Sequence, residues 1–154
     1  FLKKDENEAI AINEEENISI MINEEDHLRI QLFAPGLQIE ELLKLTMELD
    51  EKIEKNLNYA YNDKYGFLTA CPTNVGTGMR VSVMVHLPAL ASTGNIPKIL
   101  QIINNFGMNI RGIYGEGTKS KGDMYQISNK QTIGISEEEI VNNMKIIIDK
   151  IFSC

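Results

Sequence analysis

The chain has 154 residues, 43% of them hydrophobic, and a formal net charge of −7. That length suits one domain with a sizeable core, and the acidic balance, with nothing like a basic stripe, argues against a nucleic-acid surface. No apolar run reaches the roughly 18 to 20 residues that a membrane-spanning helix requires, and Cys71 and Cys154 are too few and too oddly placed for a disulfide framework, which points to a reducing cytoplasm.

In chain order, Glu8 to Asn13 and Asn17 to Ile22 read as two short strands connected through Glu14-Glu15-Glu16. Asn23-Glu24-Glu25-Asp26 interrupts the apolar alternation, which resumes from Leu28 to Phe33 and is broken by Pro35-Gly36. The helical spacing of Ile39, Leu42, Leu43, Leu45, Met47, Leu49, Ile53 and Leu57 predicts an amphipathic helix of about five turns. Phe67 to Ala70 reads as a strand, and Arg80 to Leu87 alternates as another. A helix follows from Ile96 to about Phe106, capped by Gly94 or Asn95 and stopped by Gly107. Ile110 to Tyr114 and Met124 to Ser128 are strands on either side of a polar, glycine-rich loop from Gly115 to Gly122. Ser136 with Glu139 three residues on starts a closing helix, which carries Ile140, Val141, Met144, Ile147, Ile148 and Ile151. The expectation is an α+β fold in a single domain over residues 1–154, a mostly antiparallel sheet with long helices against one face.

Only three arginines occur, Arg29, Arg80 and Arg111, against twelve lysines, and each belongs to a compact polar motif. A guanidinium is a planar, permanently charged fork that grips phosphate or carboxylate oxygens at two points, which an ammonium cannot do. An AT-rich genome explains the scarcity, but not the clustering beside Gly, Asn, Cys and Glu. Arg29 closes Asn-Glu-Glu-Asp-His-Leu-Arg. The three carboxylates at Glu24, Glu25 and Asp26 fit either a solvated turn or a group that orients a cation or acts as a general base. Arg80 closes Cys71-Pro-Thr-Asn-Val-Gly-Thr-Gly-Met-Arg80, where Gly76 and Gly78 permit positive φ or close backbone approach. Such a loop presents N–H groups to anions. Cys71 is either a thiolate favoured by nearby cations or a buried thiol at a strand end. No Gly-Lys-Ser/Thr follows, so this is not a Walker phosphate loop. Arg111 opens Arg-Gly-Ile-Tyr-Gly-Glu-Gly, in which Glu116 lies between two glycines in a loop of the kind that closes over substrates.

Together the three motifs resemble those of the ATP:guanidino phosphotransferases, the phosphagen kinase family that includes creatine and arginine kinases. The resemblance runs through nearly all of the chain, and the Cys71–Arg80 segment is its most specific part. Ser82-Val-Met-Val-His-Leu-Pro-Ala-Leu90 and Tyr114-Gly-Glu-Gly117 are similar to the bacterial protein arginine kinases, which phosphorylate arginine side chains on proteins. The resemblance implies a guanido-kinase-like catalytic fold of the glutamine-synthetase type. It implies that Glu25 and Glu116 hold the substrate guanidinium, with Glu25 as the catalytic carboxylate. Cys71 would lie against the guanidinium as a thiolate that orients it. Arg29, Arg80 and Arg111 would bind the phosphates of ATP alongside Mg²⁺, and no protein metal ligand is expected.

The small-molecule kinases carry a His where this chain has Met84, and arginine kinase has a His where Gly117 stands. Both departures favour a protein-borne arginine over a free one. Arginine-bearing proteins, an activator or adaptor and protein-quality-control partners follow from the resemblance, and neither nucleic acid nor membrane does. A helical N-terminal region and a Ser-x-Arg-x-Arg phosphate-binding segment are expected before Phe1, and a phosphoarginine-binding region after Cys154. The chain thus reads as part of a longer enzyme, with little or no activity alone, and an incomplete sheet edge would invite pairing with a second copy. The alternatives are a kinase of free arginine or another small guanidino compound, and a non-catalytic module that binds nucleotide or phosphoarginine.

Overall fold

Three of the four N-terminal strands follow from the apolar runs between Glu8 and Phe33, whereas the first, Leu2–Asp5, carries no such pattern and is set by its pairing with the strand that begins at Glu8. The structure is a computed structural model that describes residues 2–5, 7–112, 120 and 122–153. It divides into two compact units, Phe1–Gly78 and Met79–Cys154.

In the first unit, β1 (Leu2–Asp5), β2 (Glu8–Ile12), β3 (Ile18–Ile22) and β4 (Leu28–Leu32) form an antiparallel meander in that order. Ile20 pairs with Ile30, and Ile22 with Leu28. The register ends there, so residues 23–27 form the tip of the β3–β4 hairpin. Asn23 adopts φ 53° and donates its backbone N–H to His27 O at 3.0 Å, which closes the tip. Asparagine is among the few non-glycine residues that accept this conformation readily.

Helix α1 (Ile39–Glu54) stops one turn short of the predicted end. Asn56 explains why. Its backbone N–H bonds Ile53 O in a tighter turn, and its side-chain amide takes Lys52 O at 3.1 Å. A side chain that competes for helix carbonyls ends the helix although the apolar spacing continues to Leu57. A two-residue hairpin follows, β5 (Tyr61–Asn62) with β6 (Gly66–Phe67). Of the predicted strand Phe67 to Ala70, only Phe67 joins a ladder.

The second unit contains β7 (Ser82–His86), β8 (Met108–Gly112) and β9 (Met124–Asn129), antiparallel in the order β7-β9-β8. It also holds α2 (Pro88–Ser92), α3 (Ile96–Asn105) and α4 (Glu137–Phe152). Strict alternation gives this sheet one buried face, with Val85, Met108, Ile110, Tyr125 and Ile127. α3 lies against β8 and α4 against β9. α3 contributes buried Ile99 and Ile103, and α4 its six predicted apolar residues, all buried. The predicted capping box is present: Glu139 N donates to Ser136 Oγ at 3.2 Å, and Ser136 N to Glu139 Oε2 at 2.9 Å. Strand β8 begins two residues earlier than predicted, directly after Gly107 at φ 67°. The architecture is α+β, and every described strand pair is antiparallel, as the sequence led us to expect.

Candidate active site

The acidic hairpin tip of the first unit is organised by its own side chains. Glu24 Oε2 accepts from the Arg29 guanidinium at 2.9 Å and from the backbone N–H of Glu25, also at 2.9 Å. His27 Nδ1 lies 3.0 Å from Asn23 Oδ1, and Asn23 Nδ2 donates to Asn7 O at 2.9 Å. Asp26 Oδ1 accepts the backbone N–H of Ala70 at 2.6 Å, across 44 residues of chain. Among the described residues, the carboxylate of Glu25 is the one acid of the three without a hydrogen-bond partner, and it is exposed. Two of the three acids are engaged by protein groups, and the third faces solvent.

Beside the tip lies a cleft of about 590 Å³, lined by Asn23, Glu24, Glu25, Asp26, Leu68 and Ala70 among others. The next residue in the chain is Cys71, a free, half-buried thiol that caps the 3₁₀ turn Pro72–Asn74. Cys71 Sγ lies 3.0 Å from Thr73 Oγ1, one group donating to the other. Thr69 Oγ1 donates to Cys71 O at 2.7 Å. The loop is shut behind by a two-bond bridge between Phe67 and Gly76, at 2.8 and 3.1 Å. Gly66 makes the bridge feasible: it sits at φ 77°, and a Cβ there would fall within 2.8 Å of Gly76 Cα. Tyr59 and Tyr61 pack edge-on against the Phe67 ring at 5.8 and 5.2 Å. Tyr59 OH donates to Asp50 Oδ1 at 2.8 Å. Burial first, then the Asp50 hydrogen bond and charge with that of Glu54, hold the Tyr59 hydroxyl well above its ordinary pKa.

The first unit therefore brings together Glu25, Cys71 and Arg29 of the predicted set. Arg29 is engaged by Glu24 in an exposed ion pair, with side chains 46% and 34% accessible. Such a pair is worth about 1 kcal/mol or less, so a multiply charged phosphate can outcompete it.

The second unit carries Arg80 and Arg111. Arg111 projects from the solvent face of β8, where it neighbours Gln126 of β9, which in turn neighbours Met84 of β7. Met84 is 61% exposed, so this face presents an apolar side chain two strands across from Arg111, a backbone separation of about 10 Å. Arg80 is exposed two residues before β7. Asn129 holds the backbone on both sides of Arg80: its Oδ1 accepts Val81 N at 2.7 Å and its Nδ2 donates to Met79 O at 3.1 Å. The same Nδ2 donates to Gln131 O at 3.0 Å. Asn129 is buried, at 2% exposure. Glu116 lies outside the described residues.

Sequence reasoning did not single out Asn129 or give Asp26 a part of its own. The one signal for Asn129 is an amide in register with the buried positions Tyr125 and Ile127 of its strand. Among the described residues no cluster of three or more His, Cys, Asp or Glu could cage a metal ion.

The family model for the ATP:guanido phosphotransferase C-terminal catalytic domain matches residues 1–154. The chain belongs to the ATP:guanido phosphotransferase family. It is 54% identical over 152 residues to the protein-arginine kinase of Caldanaerobacter subterraneus subsp. tengcongensis, and 50% identical over 152 residues to that of Clostridium acetobutylicum. Each match covers 99% of this chain and 42% of the relative, so the chain spans less than half the length of these proteins. Among solved structures it is similar to the duplicated taurocyamine kinase from Schistosoma mansoni with bound transition state analog components. The TM-score there is 0.80 at 35% identity, over 94% of this chain and 20% of that one. A lombricine kinase gives a TM-score of 0.77 at 33% identity, over 95% of this chain and 42% of the other. Arg80 and Arg111 are exposed, and a guanidinium is the group that grips phosphate oxygens at two points.

Proposed function

We propose that the full-length protein transfers the γ-phosphoryl group of ATP to the guanidinium of arginine residues in proteins. The observation that carries this reading is the exposed carboxylate of Glu25, without a hydrogen-bond partner among the described residues, beside a cleft lined in part by Ala70, the residue before Cys71. The names of relatives at about half identity support it.

The chemistry needs little else. An arginine side chain has a pKa above about 12 and is a poor nucleophile while protonated. A carboxylate at Glu25 draws the guanidinium in, fixes its plane and takes the proton that leaves as nitrogen attacks phosphorus. The bond from γ-phosphorus to the bridging oxygen of ADP breaks in line with that attack, and the charge is spread over phosphoryl oxygens. Positioning and charge neutralisation supply most of the rate in such a transfer. Arg29, Arg80 and Arg111 would be the cations that serve it, and Mg²⁺ would supply further neutralisation of phosphate charge. Cys71 orients the guanidinium without forming a covalent bond, and Glu116 is the second carboxylate.

A second reading is a kinase of small guanidino compounds, favoured by the similarity to the taurocyamine and lombricine kinases. In the full-length protein, Glu25→Gln should reduce arginine labelling from ATP on the order of a hundredfold or more, and Cys71→Ala should reduce it less. Unchanged labelling in both variants would remove the assigned roles.

A further inference from the structure

We propose that Asp26 is a positioning residue that sets the separation between Glu25 and the Cys71 segment. The proposal rests on the reading that Glu25 and Cys71 act on the same guanidinium.

Asp26 and Glu25 are adjacent, yet they serve different ends. Glu25 is exposed, whereas Asp26 is half-buried and turns its Oδ1 onto the backbone N–H of Ala70 at 2.6 Å. Ala70 immediately precedes Cys71, so the bond ties the residue after the free carboxylate to the residue before the thiol. The rest of the segment is held from other sides. Leu68 N donates to Ala60 O at 2.8 Å, and Phe67 and Gly76 close the loop behind. Thr69 Oγ1 donates to Cys71 O, so residues 69–71 form a locally tied piece. Asp26 is the strut that fixes this piece to the hairpin tip. The tip itself resists twisting, because Asn23 closes it by backbone and by side chain.

An acceptor oxygen is what the strut requires, and a charge is not. Asparagine can place its carbonyl oxygen where Asp26 Oδ1 lies, and alanine cannot. If Asp26 instead faced the substrate cation, asparagine would fail as alanine does. The experiment uses the full-length protein with Asp26→Ala and Asp26→Asn. Asp26→Ala should lower kcat for arginine phosphorylation on the order of tenfold to a hundredfold, the scale of an ångström-sized misplacement. Its KM for ATP should stay near wild type, which also shows that the variant is folded. Asp26→Asn should recover most of kcat.

A second measurement needs no phosphoryl transfer: the rate at which iodoacetamide alkylates Cys71, followed on its own peptide by mass spectrometry. The rate should change severalfold in Asp26→Ala and little in Asp26→Asn, by the dependence of thiol reactivity on its surroundings. Wild-type kcat in Asp26→Ala, equal impairment in both variants, or an alkylation rate indifferent to Asp26→Ala would each overturn the proposal. If the wild-type protein labels no arginine at all, the functional reading fails, and the alkylation rates still decide whether the strut exists.

Discussion

Replacing Asn129 with alanine should loosen the backbone on both sides of Arg80 and weaken nucleotide binding with it. The side chain makes three hydrogen bonds, to Val81 N, Met79 O and Gln131 O. At a net worth of about 1 kcal/mol each, their loss amounts to roughly 3 kcal/mol. Because Asn129 is only 2% exposed, water does not readily replace it, and the void left by the amide adds to the cost. With a urea dependence of about 2 kcal/mol per molar, the unfolding midpoint of this unit should fall by roughly 1.5 M. Urea titration measures the global loss, and hydrogen exchange at the Val81 amide measures the local one. KM for ATP should rise in the same variant, while reactivity of Cys71, in the other unit, should not change. A loss below about 1 kcal/mol with unaltered Val81 protection would mean that the three bonds are dispensable and that Asn129 does not hold this backbone.

Gly66→Ala should destabilise the Cys71 loop by about 2 kcal/mol or more, through positive φ and collision with Gly76. The check is thermal unfolding together with the alkylation rate of Cys71. Tyr59→Phe should cost about 1 kcal/mol at neutral pH for the lost bond to Asp50. Because folding raises the Tyr59 pKa, the folded state keeps its proton longer than the unfolded chain. The stability this contributes is complete below about pH 10, the unfolded value, and is lost as pH rises from there toward the folded pKa. The stability gap between wild type and Tyr59→Phe should therefore narrow at high pH, and a constant gap in denaturation between pH 8 and 11 would contradict this. Arg29→Lys should alter stability by less than about 0.5 kcal/mol, because the Glu24 pair is exposed. It should raise KM for ATP, which steady-state kinetics would show.

Much of this fold can be read from residue patterns, and the failures have physical causes. Helices α3 and α4 are legible because their apolar faces repeat with helical spacing over two turns or more, and Ser136 and Glu139 mark a start that the structure realises atom for atom. α2 is five residues long, too short for any periodicity to declare itself. The two-residue strands β5 and β6 exist because Tyr59, Tyr61 and Phe67 pack together, a contact that no local pattern encodes. Glu25, Cys71 and the arginines stand out because their chemistry is uncommon in those settings. Asp26 and Asn129 do not, because what they bond is backbone, 44 and 48 residues away in the cases of Ala70 and Val81. A backbone partner carries no side-chain signature.

The most direct measurement of the proposed activity offers the full-length protein ATP with an unfolded protein and, in parallel, free arginine. The products are analysed for acid-labile phosphoarginine by mass spectrometry under neutral conditions. Phosphorylated arginines are expected in the protein, and their loss in Glu25→Gln. Labelling confined to free arginine, or protein labelling that survives Glu25→Gln, would contradict that expectation.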